Sequence, residues 1–508
     1  MRNTITEIQS QGINVPSDIL GRKGGAGPAE GRAFLINNIP VNAPIAAHYV
    51  LRSPFTLKSS DKGYRIIKDH REILCANVVP EPRFYSRQTK EGIPYKKIAL
   101  LHGNNCLATT VLQNCVHWKQ GNKCTFCSSE TSIKTGHTIA RKTPEQLAEV
   151  ALAARDLDGI THMVLTSGTG DPPGSEIPYL AACARAVIKK AEIPVQVQFA
   201  PPPDLGLIQE LSDAGVSSVG IHVESFDAEV LKRVAPAKAA IGFAHYERAW
   251  KTAVELFGPN QVSSFLIVGL GESPESIAWG SEYLADLGVY PFVVPLRPIP
   301  GSTLEGAIPP DAATMKRIYE AVAIILAKKE LSLDATIAGC VKCGACSALP
   351  FYEKRHDGIL CHSARNQRER SEAFAIRNEV FVHEQKMFDN SDIDDNDLKG
   401  TQLIARSKGL VVGTVRIYPE NQEKTHWVGG RLAVRKDYRN TLAGSDLVKE
   451  AMKRVKKKGC RVFMATIQEQ NVTFFKKLGW APQGPLEMHF GHPHQPMQAD
   501  LGRVPGDM

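Results

Sequence analysis

The sequence predicts an α/β protein built on a parallel sheet, on three observations. Between Lys97 and Pro300, six short apolar runs alternate with helical stretches. Two groups of closely spaced cysteines lie near the start of that region and just past its end, at Cys115–Cys127 and Cys340–Cys346. Past Cys361 the chain becomes richer in charge and holds a single further cysteine, which puts a domain boundary near residue 362. Strand-then-helix units in series need right-handed crossovers, and these leave a parallel sheet.

Composition bounds the function classes. The 508 residues are 43% hydrophobic and 22% charged, which is ordinary for a globular chain with ample core. No apolar run reaches the roughly 18 residues that cross a bilayer, and the start, MRNTITEIQSQG, has no apolar signal core. A cytoplasmic protein without membrane association is therefore expected. Eleven cysteines clustered at short spacings, in a reducing compartment, read as metal ligands rather than disulfides. The net charge of +8 is mild for this length and serves an anionic cofactor as readily as RNA.

In chain order, residues 1–95 read as an N-terminal arm and small cap. The stretch Gly21–Arg32 (GRKGGAGPAEGR) is Gly-rich, the first 40 or so residues show no periodicity, and they read as a flexible arm. Strand-like pieces follow, and Cys75 among them reads as a core thiol. Residues 96–305 hold the alternation. Its candidate strands are Lys97–Leu101, His162–Ser167, Val195–Phe199, Val219–Glu224, Val262–Val268 and Pro291–Leu296. The helix after Thr143 has Thr as cap, Pro144 in the first turn and Gln146 to close a capping box, and Ser273 repeats the logic.

The first cysteine group, NCVHWKQGNKCTFC, sets Cys115, Cys124 and Cys127 at Cys-x8-Cys-x2-Cys. Three thiolates on one loop can hold a [4Fe–4S] cluster and leave one iron without a protein ligand. Phe126 can pack beside whatever binds that iron. Cys106 competes for the place of Cys115, and a structural zinc site is the alternative use of the thiols. After the second strand, Ser167-Gly168-Thr169-Gly170-Asp171 lets backbone approach a ligand, with Asp171 able to meet an ammonium group. Glu224 ends a strand where a carboxylate can bind ribose hydroxyls; His222 and Gln198 are candidates for the same cavity. Arg297 can meet a carboxylate or serve structure alone. The second group, Cys340, Cys343 and Cys346, runs Cys-x2-Cys-x2-Cys over residues 306–362, with Cys361 as a fourth ligand. That spacing suits an auxiliary [4Fe–4S] cluster, and zinc is its rival.

These motifs resemble the radical S-adenosylmethionine (SAM) superfamily, whose loop ends in Cys-x2-Cys with an aromatic before the last cysteine. This chain keeps that ending and widens the first gap. The resemblance implies a partial (β/α)6 barrel, reductive cleavage of SAM to a 5′-deoxyadenosyl radical, and an electron donor of the ferredoxin or flavodoxin type. It also implies that Ser167–Asp171 hold the amino group of SAM, and that Ile267–Glu272 (IVGLGE) lie beside the adenine.

Residues 363–508 resemble the GNAT acyltransferases, through RNEVFVHEQ at Arg377–Gln385, GRLAV at Gly430–Val434 and NVTFFKKLGW at Asn471–Trp480. The family's strand ending at Val434 would receive the pantetheine arm of acetyl-coenzyme A. The turn Arg439–Ser445 opens a helix whose backbone N–H groups can cradle a pyrophosphate, with Arg439 adding charge and Gly444 and Ser445 in the turn. Leu442 replaces a family glycine, and Phe475 stands where a general-acid tyrosine is usual. Glu384 is the candidate base.

Motif for motif, the chain resembles radical SAM proteins encoded beside nitrilase-type enzymes in clusters tied to nitrogen starvation and cyanide use, here fused to the acyltransferase. A small, nitrogen-metabolism-related substrate is expected. An elongator-like enzyme acting on tRNA and a SAM- or acyl-CoA-sensing module are the alternatives. Nucleic acid is the less favoured partner, since no dense basic arm with interleaved aromatics is present.

Overall fold

The structure is a computed structural model that describes residues 2–21, 30–36, 39–60, 63–353, 359–364, 366–407, 410–439 and 441–503. Residues 22–29 of the Gly-rich stretch and Asn440 of the turn Arg439–Ser445 lie outside the described residues. The chain divides into two compact units, Met1–Glu353 and Lys354–Met508.

The first unit opens with structure where a flexible arm was expected. A helix, Arg2–Gln11, buries Ile5 and Ile8. An antiparallel sheet follows, made of β1 (Gly31–Ile36), β2 (Ile39–Pro44), β3 (Phe55–Ser60), β4 (Gly63–Lys68) and β5 (Arg71–Val78), in the order β2-β1-β5-β4-β3. Cys75 lies on β5 and is exposed, so it is not the core thiol the sequence suggested.

The second sheet carries the alternation. Its strands are β6 (Leu100–His102), β7 (Cys106–Thr110), β8 (His162–Thr166), β9 (Val195–Phe199), β10 (Ser218–Ile221), β11 (Val262–Val268) and β12 (Val289–Pro295). They lie side by side in chain order, β7 to β12 all parallel, with β6 antiparallel to β7. This is an open (β/α)6 half-barrel. Strands β7 and β9 are buried at every position, as a sheet covered on both faces requires. The first parallel strand is β7, not Lys97–Leu101. The apolar run KIALL instead straddles a short 3-10 turn and the antiparallel β6. Helices between the strands begin as their caps dictate. Thr143 and Gln146 form a reciprocal capping box with Pro144 in the first turn, and Ser273 accepts from the Ser276 N–H.

The second unit is α+β. Asn366 caps the helix Gln367–Arg377, which runs on into a π-helical stretch, Asn378–Glu384. The sheet comprises β13 (Leu360–Ser363), β14 (Thr401–Ser407), β15 (Leu410–Pro419), β16 (His426–Val434), β17 (Val462–Gln468), β18 (Trp480–Pro482), β19 (Glu487–His489) and β20 (His492–Ala499). Strand β13 pairs with β14, so this unit begins before the change of texture near 362. Strands β16 and β17 are parallel from His426/Val462 to Gly429/Ala465, and then their pairing stops. The remainder of β16 bonds β15 on its other side, leaving a cleft beside Gly430–Val434.

Candidate functional site

The loop after β7 carries the first cysteine group, and it is stitched to the loop after β8. The Gly168 N–H donates to the Leu112 carbonyl at 2.8 Å, and the Val116 N–H donates to the Thr169 carbonyl at 2.9 Å. Gly168 permits this approach. A Cβ there would stand 2.2 Å from the Asn114 carbonyl oxygen and 2.9 Å from the Cys115 Cβ. Ser167 donates to the Gly168 carbonyl, and the Gly170 N–H donates to the buried Glu176 carboxylate at 3.0 Å. Asp171 is exposed at the tip of that loop. Cys115, Cys124 and Cys127 are all half-buried, with Phe126 packed against the main core between the last two.

Buried charge supports this loop from below and from the side. Lys142, fully buried, donates to the carbonyls of Thr110 (2.7 Å) and Ile139 (2.8 Å) and to Gln113 Oε1 (3.3 Å). Gln113 passes the connection on by donating to the Ser129 carbonyl at 2.7 Å, two residues past Cys127. From the side, Glu224 is 5% exposed and adopts a left-handed φ of 72°. Its Oε1 accepts from Lys238 Nζ at 2.5 Å, while Oε2 is buried without a hydrogen-bond partner. Burial opposes the Lys238 ammonium, but the Glu224 carboxylate together with Tyr246 and Cys124 holds the pKa above the ordinary lysine value. Burial pushes the Cys124 thiol up to about 12, against the pull of Lys238. His222 stacks on Phe265 at 4.2 Å, and burial drives its pKa well down, so it stands neutral. Burial also raises Glu272, in the IVGLGE stretch, to about 7. Arg297 binds Asn42 of β2, a structural bond between the two sheets of this unit.

The second cysteine group lies at the opposite end of the sheet. The helix Cys340–Cys343 approaches the early residues of β7 to β10. The Cys340 N–H donates to Gln196 Oε1 at 3.1 Å, and Gln198 Nε2 donates to Cys340 Sγ at 3.2 Å. Gln198 thus faces this group and not the cavity near Glu224. Two expectations about cysteines are corrected. Cys106 is no rival for Cys115: it opens β7, away from the loop that follows that strand, and it shares a buried cluster with Cys343. Cys361, expected as fourth ligand, is part of β13 in the second unit, where its thiol packs against that unit's core near Asp446 and Glu450.

In the second unit a cavity of about 290 Å³ occupies the cleft between β16 and β17. Gly430, Gln468, Asn471 and Phe475 line it. Phe475 is 6% exposed and packs edge-on to Trp480 at 5.4 Å, so no hydroxyl stands at that position. Tyr418 also lines the cavity, and burial raises its pKa. Beside the cleft the helix Ala443–Lys457 begins without a side-chain cap. Arg439 donates to the Val434 carbonyl at 3.0 Å and forks onto Glu384 at 2.5 and 2.6 Å. The expected base and the expected phosphate ligand are therefore partners. Arg439 holds the Glu384 carboxyl below the usual range, which weighs against Glu384 as a base. A Cβ on Gly444 would make only ordinary contacts, at 3.7 Å or beyond. His489, His492 and His494 lie on the β19–β20 hairpin. Among the described residues no three His, Cys, Asp or Glu side chains are placed to share one metal ion.

A family model for the radical SAM superfamily matches residues 121–279, and one for the acetyltransferase (GNAT) family matches residues 367–480. The chain carries a radical SAM domain followed by a GNAT acetyltransferase domain. Both belong to families of enzymes. The first implies a [4Fe–4S] cluster with SAM, and the second an acyl-coenzyme A. Over 244 residues the chain is 23% identical to the bacteriochlorophyllide c C-7(1)-hydroxylase of Chlorobaculum limnaeum, covering 44% of this chain and 60% of the hydroxylase. Over 138 residues it is 28% identical to the uncharacterized N-acetyltransferase YjcF of Bacillus subtilis (strain 168), covering 27% of this chain and 96% of that relative. Among solved structures, Escherichia coli ElaA matches with 20% identity and a TM-score of 0.26, over 28% of this chain and 99% of that one. No helix of the described residues is long and apolar enough to cross a membrane.

The donor set of the radical SAM domain suits its cluster. Three thiolates come from one loop, and none of the described side chains nearby adds a fourth of the same kind. The residues that sequence reading missed are Gln113, Lys142, Glu176 and Lys238. All are polar, Gln113, Lys142 and Glu176 deeply buried and Lys238 half-buried, and no local pattern marks them. Burial of a charge can be read only once the fold shows what surrounds it.

Proposed function

We propose that this protein is a radical SAM enzyme acting on a small substrate, with a fused acyl-coenzyme A-dependent N-acyltransferase. The observation that carries the reading is the stitching of the Cys115–Cys127 loop to Gly168 and Thr169, which packs the glycine-bearing turn after β8 against Asn114 and Cys115. In this reading Cys115, Cys124 and Cys127 hold the cluster, and an electron donor of the ferredoxin or flavodoxin type reduces it. When bound, cluster and SAM supply a 5′-deoxyadenosyl radical that takes a hydrogen atom from the substrate. Ser167 to Asp171 orient the amino acid part of SAM, and Glu224, held by Lys238, offers a carboxylate to its ribose. Phe126 and the neutral ring of His222 exclude water. A nitrogen-metabolism-related substrate is supported by the likeness of GCVKCGACSAL and RNEVFVHEQ to the nitrilase-associated proteins.

In the GNAT domain, Val434 and Asn471 flank the pantetheine path, and the turn Arg439–Ser445 receives the pyrophosphate. Tyr418, which keeps its proton at neutral pH, takes the general-acid role that Phe475 cannot fill. Anaerobic reduction with SAM tests the first half. Release of 5′-deoxyadenosine is expected from the parent chain and loss of it from Cys115→Ala, Cys124→Ala and Cys127→Ala. Retention of cleavage in all three would overturn the assignment. Titration with acetyl-coenzyme A tests the second half: no heat at millimolar ligand would leave the domain a scaffold.

A further inference from the structure

We propose that Cys106, Cys340, Cys343 and Cys346 hold a second [4Fe–4S] cluster in the floor of the half-barrel, fully liganded by protein. The fourth thiolate is the new element, and it comes from the first residue of β7, 234 positions before Cys340 (340 − 106). Cys106 and Cys343 share one buried cluster, and Cys340 packs against it; Cys346 follows three residues after Cys343. Ala108, Val164 and Ala345 wall the group with apolar surface.

The surroundings are shaped for sulfur. A Cβ on Gly103 would stand 2.8 Å from Cys343 Sγ, so the β6–β7 turn must be bare there. A Cβ on Gly339 would fall 2.1 to 2.5 Å from the Gln196 amide, so the cysteine helix can dock only through glycine. Gln198 donates an N–H to Cys340 Sγ, and such bonds to cluster sulfurs stabilise their charge. Buried cysteines also occur as small apolar fillers. Three gathered in one cluster, one of them accepting an amide N–H, are poorly explained that way. A cube takes each thiolate on a different iron, whereas zinc draws all its ligands to one point.

Four protein ligands leave no open iron, so this cluster would bind neither SAM nor substrate. The test uses the full chain with Cys115, Cys124 and Cys127 all replaced by Ala, reconstituted anaerobically with iron and sulfide. About four irons and four sulfides per chain are expected, with an electron paramagnetic resonance spectrum that SAM does not alter. Adding Cys106→Ala or Cys106→Ser should lower the iron or change the spectrum, and adding Cys361→Ala should do neither. Thermal melting establishes which variants fold, and the serine variant, the closer in shape, decides if the alanine variant does not. One equivalent of zinc without iron, a spectrum that shifts on adding SAM, or full iron and an unchanged spectrum in folded Cys106→Ser would each overturn the proposal.

Discussion

The two cysteine groups sit at opposite ends of one sheet and are supported by different chemistry. The first, on the loop after β7, is flanked by buried charge: the Lys238–Glu224 pair beside it and the Lys142 amine beneath it. The second, in the floor, is flanked by the neutral amides of Gln196 and Gln198. A field from fixed charge acts on whatever binds at the first site, and such fields are strong where water is excluded. Neutral amides at the second satisfy sulfur without adding net charge.

The largest test of this contrast is steric. Gly168→Ala puts a methyl into the Asn114 carbonyl, so the first site should lose its iron, while iron at the floor stays. Metal analysis of the variant beside Cys115→Ala checks this. Next comes Lys238→Met, which strands the Glu224 carboxylate in the interior; removing one partner of a buried pair costs about 3–5 kcal/mol. Denaturant titration should show that loss, and the double change with Glu224→Gln should recover most of it. Complete stability of the single variant would mean the pair is dispensable.

A pH effect comes third. Burial lowers the Lys142 pKa to about 7, from an ordinary 10.5. Between those values the unfolded chain binds the extra proton, so stability should rise with pH from about 7 to about 10.5. The gain between pH 7 and 9 is on the order of 2 kcal/mol. Lys142→Met should flatten the slope. If the parent is already flat, the three acceptors around Nζ keep the ammonium form. The smallest effect belongs to the floor. Gln198→Leu removes the bonds to Gln196 and to Cys340 and should cost about 1–2 kcal/mol, without pH dependence.

The sequence made parts of this plain and hid others for physical reasons. Val195–Phe199 and Val262–Val268 were legible to the residue, because fully buried parallel strands are continuous apolar runs bounded by turns. The Thr143 capping box was legible because its partners are three residues apart. The N-terminal sheet was not: β1 and β2 follow a Gly-rich stretch, and edge pairing there depends on β5, more than thirty residues on (71 − 36 = 35). Cys106 looked like a competitor for the first loop because spacing along the chain was the only measure at hand. Strand direction separates them, since a strand carries its first and last residues to opposite ends of the sheet.

The fork between Arg439 and Glu384 has a consequence for how the acyltransferase half would take its cofactor. The carboxylate occupies the guanidinium as a tethered placeholder, so an incoming diphosphate must evict it before it can bind there. Affinity for acetyl-coenzyme A then contains the work of eviction. Glu384→Gln should tighten binding by a few-fold, roughly what 1 kcal/mol supplies. Because salt weakens the tether as well as the ligand contact, binding to the parent should vary with ionic strength less steeply than binding to the variant. Equal slopes in a calorimetric salt series would show that the diphosphate binds without disturbing the pair.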